Sequence, residues 1–326
     1  MNQHLIALSL CGCLLSLPTF AQEKAAKKAA EAKSAPPATF GSKEAQALFG
    51  GAEALFRRAQ DIHDLKTGGD EKSAFLAAIV ALKEFEKQFP AEEKAAQAAY
   101  WVGTSHMLLG EAAPALLVYQ KVYDKYPAFK DRDQALFRIG ICNGLLGDGA
   151  KARAAYAQVI RDFGRTKPEA IRKAQKYIQE VDLAGKPAPK VFAERWMNGI
   201  GGDEGLKTFQ GDVVVVTFFA TWCPNCRKEW PRFRKMVADF SKNGVTFLAV
   251  VNPEDLQDGE PVDQYLASQK LEFLDVALDP QEQSGIAWRV SGYPASAVID
   301  RKGIVRWRGH PAFLTPVLLE QVLAER

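Results

Sequence analysis

Seven consecutive residues, Val213-Val214-Val215-Val216-Thr217-Phe218-Phe219, are all β-branched or aromatic and carry no charge. Such a run does not suit a sheet with one wet face. It reads as a strand covered on both sides, at the centre of an α/β sheet. Directly after it comes Ala220-Thr221-Trp222-Cys223-Pro224-Asn225-Cys226, and then a helical stripe of Trp230, Phe233, Val237 and Phe240. A Cys-x-x-Cys pair therefore stands where a buried strand turns into a helix. The helix N-terminus presents unsatisfied N–H groups and partial positive charge, which stabilise a thiolate on the first cysteine. Two intervening residues let both sulfurs meet across one helical turn. The second, less exposed thiol can then attack a mixed disulfide formed by the first. The pair could also be half of a zinc site, but no second pair of Cys or His stands at ligand spacing.

The remainder of this half alternates in the same way. A second apolar strand covers Val245–Val251, and a helix is expected over residues 262–269. Residues 295–300 and 304–308 flank Arg301-Lys302-Gly303 as a β-hairpin with a glycine-bearing turn. A C-terminal helix, Pro316–Ala324, closes the order strand, helix, strand, helix, hairpin, helix.

Upstream, residues 40–184 are Ala-rich with apolar residues at three- and four-residue spacing. A shift of 37 residues superposes Ala78, Ala115 and Ala152, then Leu82, Tyr119 and Tyr156, then Phe89, Tyr126 and Phe163. Gly103 matches Gly140 and Gly110 matches Gly147. Each unit reads as a helix pair, with small residues permitting close approach and aromatics filling the gaps. Gly110 and Gly147 end one helix, and Pro90 and Pro127 stop the next. The pattern resembles tetratricopeptide repeats, which implies a protein-docking surface. A plain helical bundle is the alternative.

The whole chain carries 42 Lys and Arg against 39 Asp and Glu, a net charge of +3, which argues against nucleic acid as the main partner. Residues 1–22 contain none of these four residue types. The apolar run from Leu5 to Leu17 with Thr19-Phe20-Ala21 after it reads as a signal peptide over residues 1–21. A rival reading is a lipoprotein acylated at Cys13. Residues 22–39 form an Ala/Lys/Pro linker. Of the five Cys, Cys11 and Cys13 would leave with the signal. Cys142 is expected to be an inert buried thiol. An extracytoplasmic, periplasmic location follows, where disulfides persist.

Residues 185–326 resemble the thioredoxin superfamily, and within it the secreted TlpA/ResA-like thiol-disulfide oxidoreductases. The resemblance rests on Trp196 and Asn198-Gly199 ahead of the first central strand, and on Phe218-Phe219-Ala220-Thr221-Trp222-Cys223. It also rests on Glu229 and Pro231 after Cys226, on Ser291-Gly292-Tyr293-Pro294-Ala295, and on the hairpin at residues 298–303. The implied fold is an α/β thioredoxin fold preceded by an all-α repeat domain. Cys223 resembles the exposed nucleophile and Cys226 the resolving thiol, the two forming a redox-active Cys223–Cys226 disulfide. Pro294 resembles the cis-proline facing them, which also discourages metal binding there. Trp222, Pro224 and Tyr293 are the implied substrate-contacting residues, and Pro231 would kink the helix rather than end it. No cofactor beyond the disulfide and no metal is implied.

Two departures from the wider superfamily matter. Thr217 stands where cytosolic thioredoxins carry a buried Asp, so Glu229 becomes the candidate general acid/base. Tyr293 stands where Thr or Val is commoner. The expected function is protein disulfide exchange or reduction, with a partner docked at the repeats. An adaptor with an accessory thioredoxin domain is the alternative. Copper binding through His310 is a weaker one, because copper-binding relatives have three residues between their cysteines. The basic residues Arg227, Lys228, Arg232, Arg234 and Lys235 are expected on a solvated helix face.

Overall fold

The computed structural model describes residues 41–64, 66–199, 205–255 and 259–325. The signal peptide, the linker, Cys11 and Cys13 lie outside the described residues. The repeat region contains α1 (Lys43–His63), α2 (Glu71–Gln88), α3 (Glu93–Leu108), α4 (Ala112–Lys125), α5 (Arg132–Leu145), α6 (Gly149–Phe163) and α7 (Pro168–Val181). Each helix packs on the next. Ser42, Asp70 and Asp148 supply side-chain oxygens to first-turn N–H groups and so fix three of the starts. Gly110 and Gly147, both at φ +78°, let the chain leave α3 and α5 through a left-handed residue.

The 37-residue periodicity has a direct packing meaning. A methyl group added at Gly103 would come within 2.9 Å of the Tyr119 ring, and one at Gly140 would meet the Tyr156 ring closer still. The missing side chains on α3 and α5 are the spaces into which the aromatic rings of α4 and α6 fit. Tyr119 and Tyr156 are accordingly buried.

The second region is built on a six-stranded sheet in the order β1-β4-β3-β2-β5-β6. Its strands are β1 (Arg195–Met197), β2 (Val213–Phe218), β3 (Val245–Val251), β4 (Asp275–Leu278), β5 (Ala295–Ile299) and β6 (Val305–Gly309). β2 pairs parallel with β3 and antiparallel with β5, and is buried at every position. Val213 and Val215 join one core with Trp230, Phe233 and Leu319; Val214, Val216 and Phe218 join the other with Trp288 and Leu183. The helices are α8 (Pro224–Phe240), α9 (Val262–Ser268), α10 (Gln283–Ala287) and α11 (Pro316–Ala324). The sequence order omitted β1, β4 and α10. β1 and α10 are three and five residues long, and β4 only four, too short for any periodicity to register.

The two regions form one compact unit. The helices α1, α3, α5 and α7, or the turns that follow them, face the sheet region. Gly110, after α3, lies against Thr315 and Val317. Arg138 of α5 stacks over the Phe313 ring at 5.1 Å. α7 packs along β6, and the chain leaving it pairs with the same edge through Gly185 N–H to Val305 O (2.7 Å) and Ala188 N–H to Gly303 O (2.8 Å). The edge of the sheet is thereby covered.

Candidate active site

Cys223 is the N-cap of α8, and its Sγ accepts a hydrogen bond from the Cys226 N–H at 3.4 Å. Pro224 occupies the first helical turn, where its missing N–H costs nothing, and is exposed beside Asn225. Both cysteines are buried and carry free thiols in this structure. The expectation of an exposed first cysteine is corrected: Cys223 is 4% accessible and Cys226 1%. Cys223 belongs to an apolar cluster against which Trp222 and Tyr293 also pack, their rings meeting edge to face at 6.1 Å.

Burial pushes the Cys226 thiol well above the usual thiol range. The hydrogen bond to Cys223 and the charge of Glu229 push the same way. An acceptor for its proton is therefore needed before it can act as a nucleophile. Thr217, at the position of the missing Asp, shares a buried hydrogen bond with Ser296 (3.0 Å) and offers no carboxylate.

The Tyr293–Pro294 bond is cis. Among the described residues, Tyr293 takes part in no backbone–backbone hydrogen bond of a turn or loop. Its phenol is pushed up to about 12 by burial. Pro231 sits inside α8 without ending it, as the resemblance implied.

The solvated face expected of the basic residues of α8 holds for Lys228 and Lys235, which are exposed, and not for the three arginines. Arg232 donates to the carbonyls of Pro311 and Leu314, and Arg234 to that of Gln269. Arg227 pairs with Glu260 at 3.0 Å and lies over the Tyr265 ring. These guanidinium groups tie the helix to neighbouring backbone carbonyls and to Glu260, leaving Lys228 and Lys235 exposed. Tyr265 accepts a 2.7 Å hydrogen bond from Trp230 Nε1, a support for α8 that sequence reading missed.

Glu229 lies one turn beyond Cys226, on a shared helix face. It lines a cavity of about 580 Å³ with His63, Asp64 and Lys66 from the end of α1, and with Lys228, Pro231, Arg232 and Ala312. Burial holds its carboxyl above the usual range; Arg232 and His63 draw it down, and Asp64 pushes it up. The sequence carries no signal for the involvement of α1, which is more than 160 residues away along the chain.

His310 is half-buried, and its Nδ1 accepts from the Ala312 N–H at 3.1 Å, capping a short 3₁₀ turn. Burial brings its imidazole down to about 4, helped by Lys176, Arg138 and Arg232. The sequence reading of a surface histidine is corrected: the turn it caps is wedged between α5 and α8, through Phe313 and Arg232. Cys142 is wholly buried, its thiol pushed up to about 12 by the apolar surroundings.

The AhpC/TSA family profile matches residues 184–308, and the tetratricopeptide repeat profile matches residues 97–128 and 134–166. The thiol:disulfide interchange protein DsbE homolog of Paracoccus denitrificans is 33% identical over 146 residues, 44% of this chain and 71% of that protein. The thiol-disulfide oxidoreductase ResA of Geobacillus kaustophilus is 30% identical over 109 residues, 32% of this chain. The chain spans 59% of the length of that relative. DsbE of Escherichia coli is 29% identical over 142 residues, 44% of this chain and 72% of that protein. With its buried parallel strands, its helix-capping cysteine and its repeats, the chain belongs to the ResA/DsbE type of thiol-disulfide oxidoreductases, a thioredoxin-like domain preceded by tetratricopeptide repeats.

Proposed function

We propose that this protein exchanges disulfides with polypeptide clients through Cys223 and Cys226. The observation that carries the reading is the placement of Cys223 Sγ at the N-terminus of α8, hydrogen-bonded to the Cys226 N–H, in a fold whose Tyr293–Pro294 bond is cis. The cysteine pair itself holds the two redox electrons, with no further cofactor.

In the reducing direction, the Cys223 thiolate attacks one sulfur of a client disulfide. That S–S bond breaks, a Cys223–client disulfide forms, and the other client sulfur leaves as a thiolate that takes up a proton. Cys226 then gives its proton to Glu229 and attacks Cys223 Sγ. The Cys223–Cys226 bond forms and the second client sulfur departs. Two electrons have passed from the dithiol to the client; the reverse order oxidises a client dithiol. Trp222 and Tyr293 form the apolar walls over the sulfur, and the Tyr293 backbone pairs with an extended client segment. Pro224 keeps the exposed end of the helix free of side-chain competition.

An extracytoplasmic location is part of this reading, because the apolar stretch at residues 5–17 fits a signal and a persistent disulfide requires an oxidising compartment. No helix among the described residues is long and apolar enough to cross a membrane. A protein partner at the repeat region completes the proposal, and a pull-down with the full chain checks it. The decisive assay is insulin reduction by the full chain in the presence of dithiothreitol. Turnover lost in Cys223→Ser supports the proposal; turnover unchanged in that variant, or absent in the wild type, contradicts it.

A further inference from the structure

The cavity beside Glu229 is shared. One wall comes from α8, the helix that carries the cysteines; the other is the last turn of α1, the first helix of the repeat region. His63 there is buried and bonded through Nδ1 to Glu71 Oε1 at 2.8 Å, which fixes its ring. Asp64 is the C-cap of α1, and its carboxylate is 2.9 Å from Lys66 Nζ. On the α8 side stand Lys228 and Arg232, with Cys226 one turn back; Ala312 contributes no charge. Asp64, Lys66 and Lys228 are exposed, so the space opens to solvent beside the half-buried Glu229 carboxyl.

We propose that the repeat region completes the redox centre, His63 and Asp64 acting as positioning residues that set when Glu229 carries a proton and so when Cys226 is released to resolve a mixed disulfide. This rests on the disulfide-exchange reading and adds to it a role for the repeats that does not require a docked partner. The physical basis is simple. Glu229 faces the His63 ring and a second carboxylate, Asp64, across the cavity. The two act with opposite sign on the same proton. Arg232 and Lys228 bias the same group from its own helix, while Glu71 and Lys66 temper the α1 pair.

The test uses the full-length reduced protein and the aryl disulfide 5,5′-dithiobis(2-nitrobenzoic acid). Attack by Cys223 releases one thionitrobenzoate in a bimolecular step. Attack by Cys226 on the resulting mixed disulfide releases a second in a unimolecular step. The pH dependence of that second step is read in the wild type, D64N, D64E and H63Q. Removing the Asp64 carboxylate is expected to move the Glu229-dependent inflection down by roughly half a pH unit, the size of one charge acting across a solvated gap. H63Q is expected to move it up, and D64E to restore the wild-type value. An inflection unmoved in D64N, or moved the same way by D64N and H63Q, overturns the proposal. Asp64 is half-exposed at a helix end, so D64N keeps the test open if H63Q fails to fold. A wild type that releases no second thionitrobenzoate would instead count against the disulfide-exchange reading, so the two failures are distinct.

Discussion

Glu180, on the last helix of the repeat region, lies 3.7 Å from Arg308 on the edge strand β6, and both side chains are buried. Lys176 reaches the same carboxylate at 3.9 Å. Arg308 Nη1 also donates to the carbonyls of Ser296 and Gly309. Burial raises the carboxyl of Glu180 and lowers the guanidinium of Arg308; each partner's charge opposes the other's shift. This pair joins the repeats to the sheet. The two regions are consequently expected to unfold together, and a truncated protein lacking residues 40–184 would leave Arg308 uncompensated.

Removing one partner alone is expected to destabilise the protein by about 3–5 kcal/mol, the usual cost of orphaning a buried charge. Urea unfolding of E180Q and R308M measures this. The double variant E180M/R308M should recover most of the loss, because two apolar side chains fill the site without an unpaired charge. A single transition in the wild type and a double variant no better than the singles would divide this account: the first supports the joint, the second refutes the charge argument.

A second expectation concerns Glu229. Its folded pKa is raised above the 4.5 of an unfolded glutamate, so its contribution favours folding fully below that value and is lost as pH rises through the folded value. At neutral pH the wild type therefore bears the cost of a half-buried carboxylate. E229Q should melt higher than wild type at pH 7–8, with the difference closing toward pH 4. The same variant should slow Cys226-dependent resolution, a trade of stability against function. Thermal melts across this pH range, beside the two-phase thionitrobenzoate assay, check both halves.

The repeat packing gives a third. Gly140→Ala should destabilise more than Gly103→Ala, since the added methyl group meets the Tyr156 ring closer than its counterpart meets Tyr119. Overpacking of this kind costs about 1–3 kcal/mol, set against up to about 1 kcal/mol gained in helix propensity. Melting temperatures of the two variants compare them directly.

Cys142 supplies a fourth. Its thiol is pushed up to about 12, leaving roughly one part in ten thousand as thiolate at pH 8. Iodoacetamide at that pH should leave Cys142 unmodified in the native protein and label it fully in urea, as peptide mass spectrometry will show.

Much of this was legible in the sequence. The uncharged run around Val215 announces a two-sided strand, and the cysteine spacing, the cis Tyr293–Pro294 bond and the helix-internal Pro231 follow from local pattern or from family resemblance. The 37-residue period anticipated the glycine–tyrosine fit. What escaped were relations that no local pattern encodes. Arg308 looks like a surface residue because Arg306, two positions earlier, is one. A bulge near Val298 and Ile299, opposite Arg306, changes which face each β6 residue takes and turns Arg308 toward Phe218 and α7. The approach of His63 and Asp64 to Glu229 depends on how seven helices stack, a geometry set by summed packing. The edge-to-face contact of Trp222 with Tyr293 joins loops about 70 residues apart along the chain.

The central claim is that Cys223 and Cys226 interconvert between dithiol and disulfide. Its most direct test is equilibration of the full chain in glutathione buffers of graded potential, followed by acid quench, alkylation and mass spectrometry of the Cys223–Cys226 peptide. The account predicts one two-electron transition at a defined potential, abolished in Cys223→Ser. A pair that remains dithiol across every buffer would contradict it.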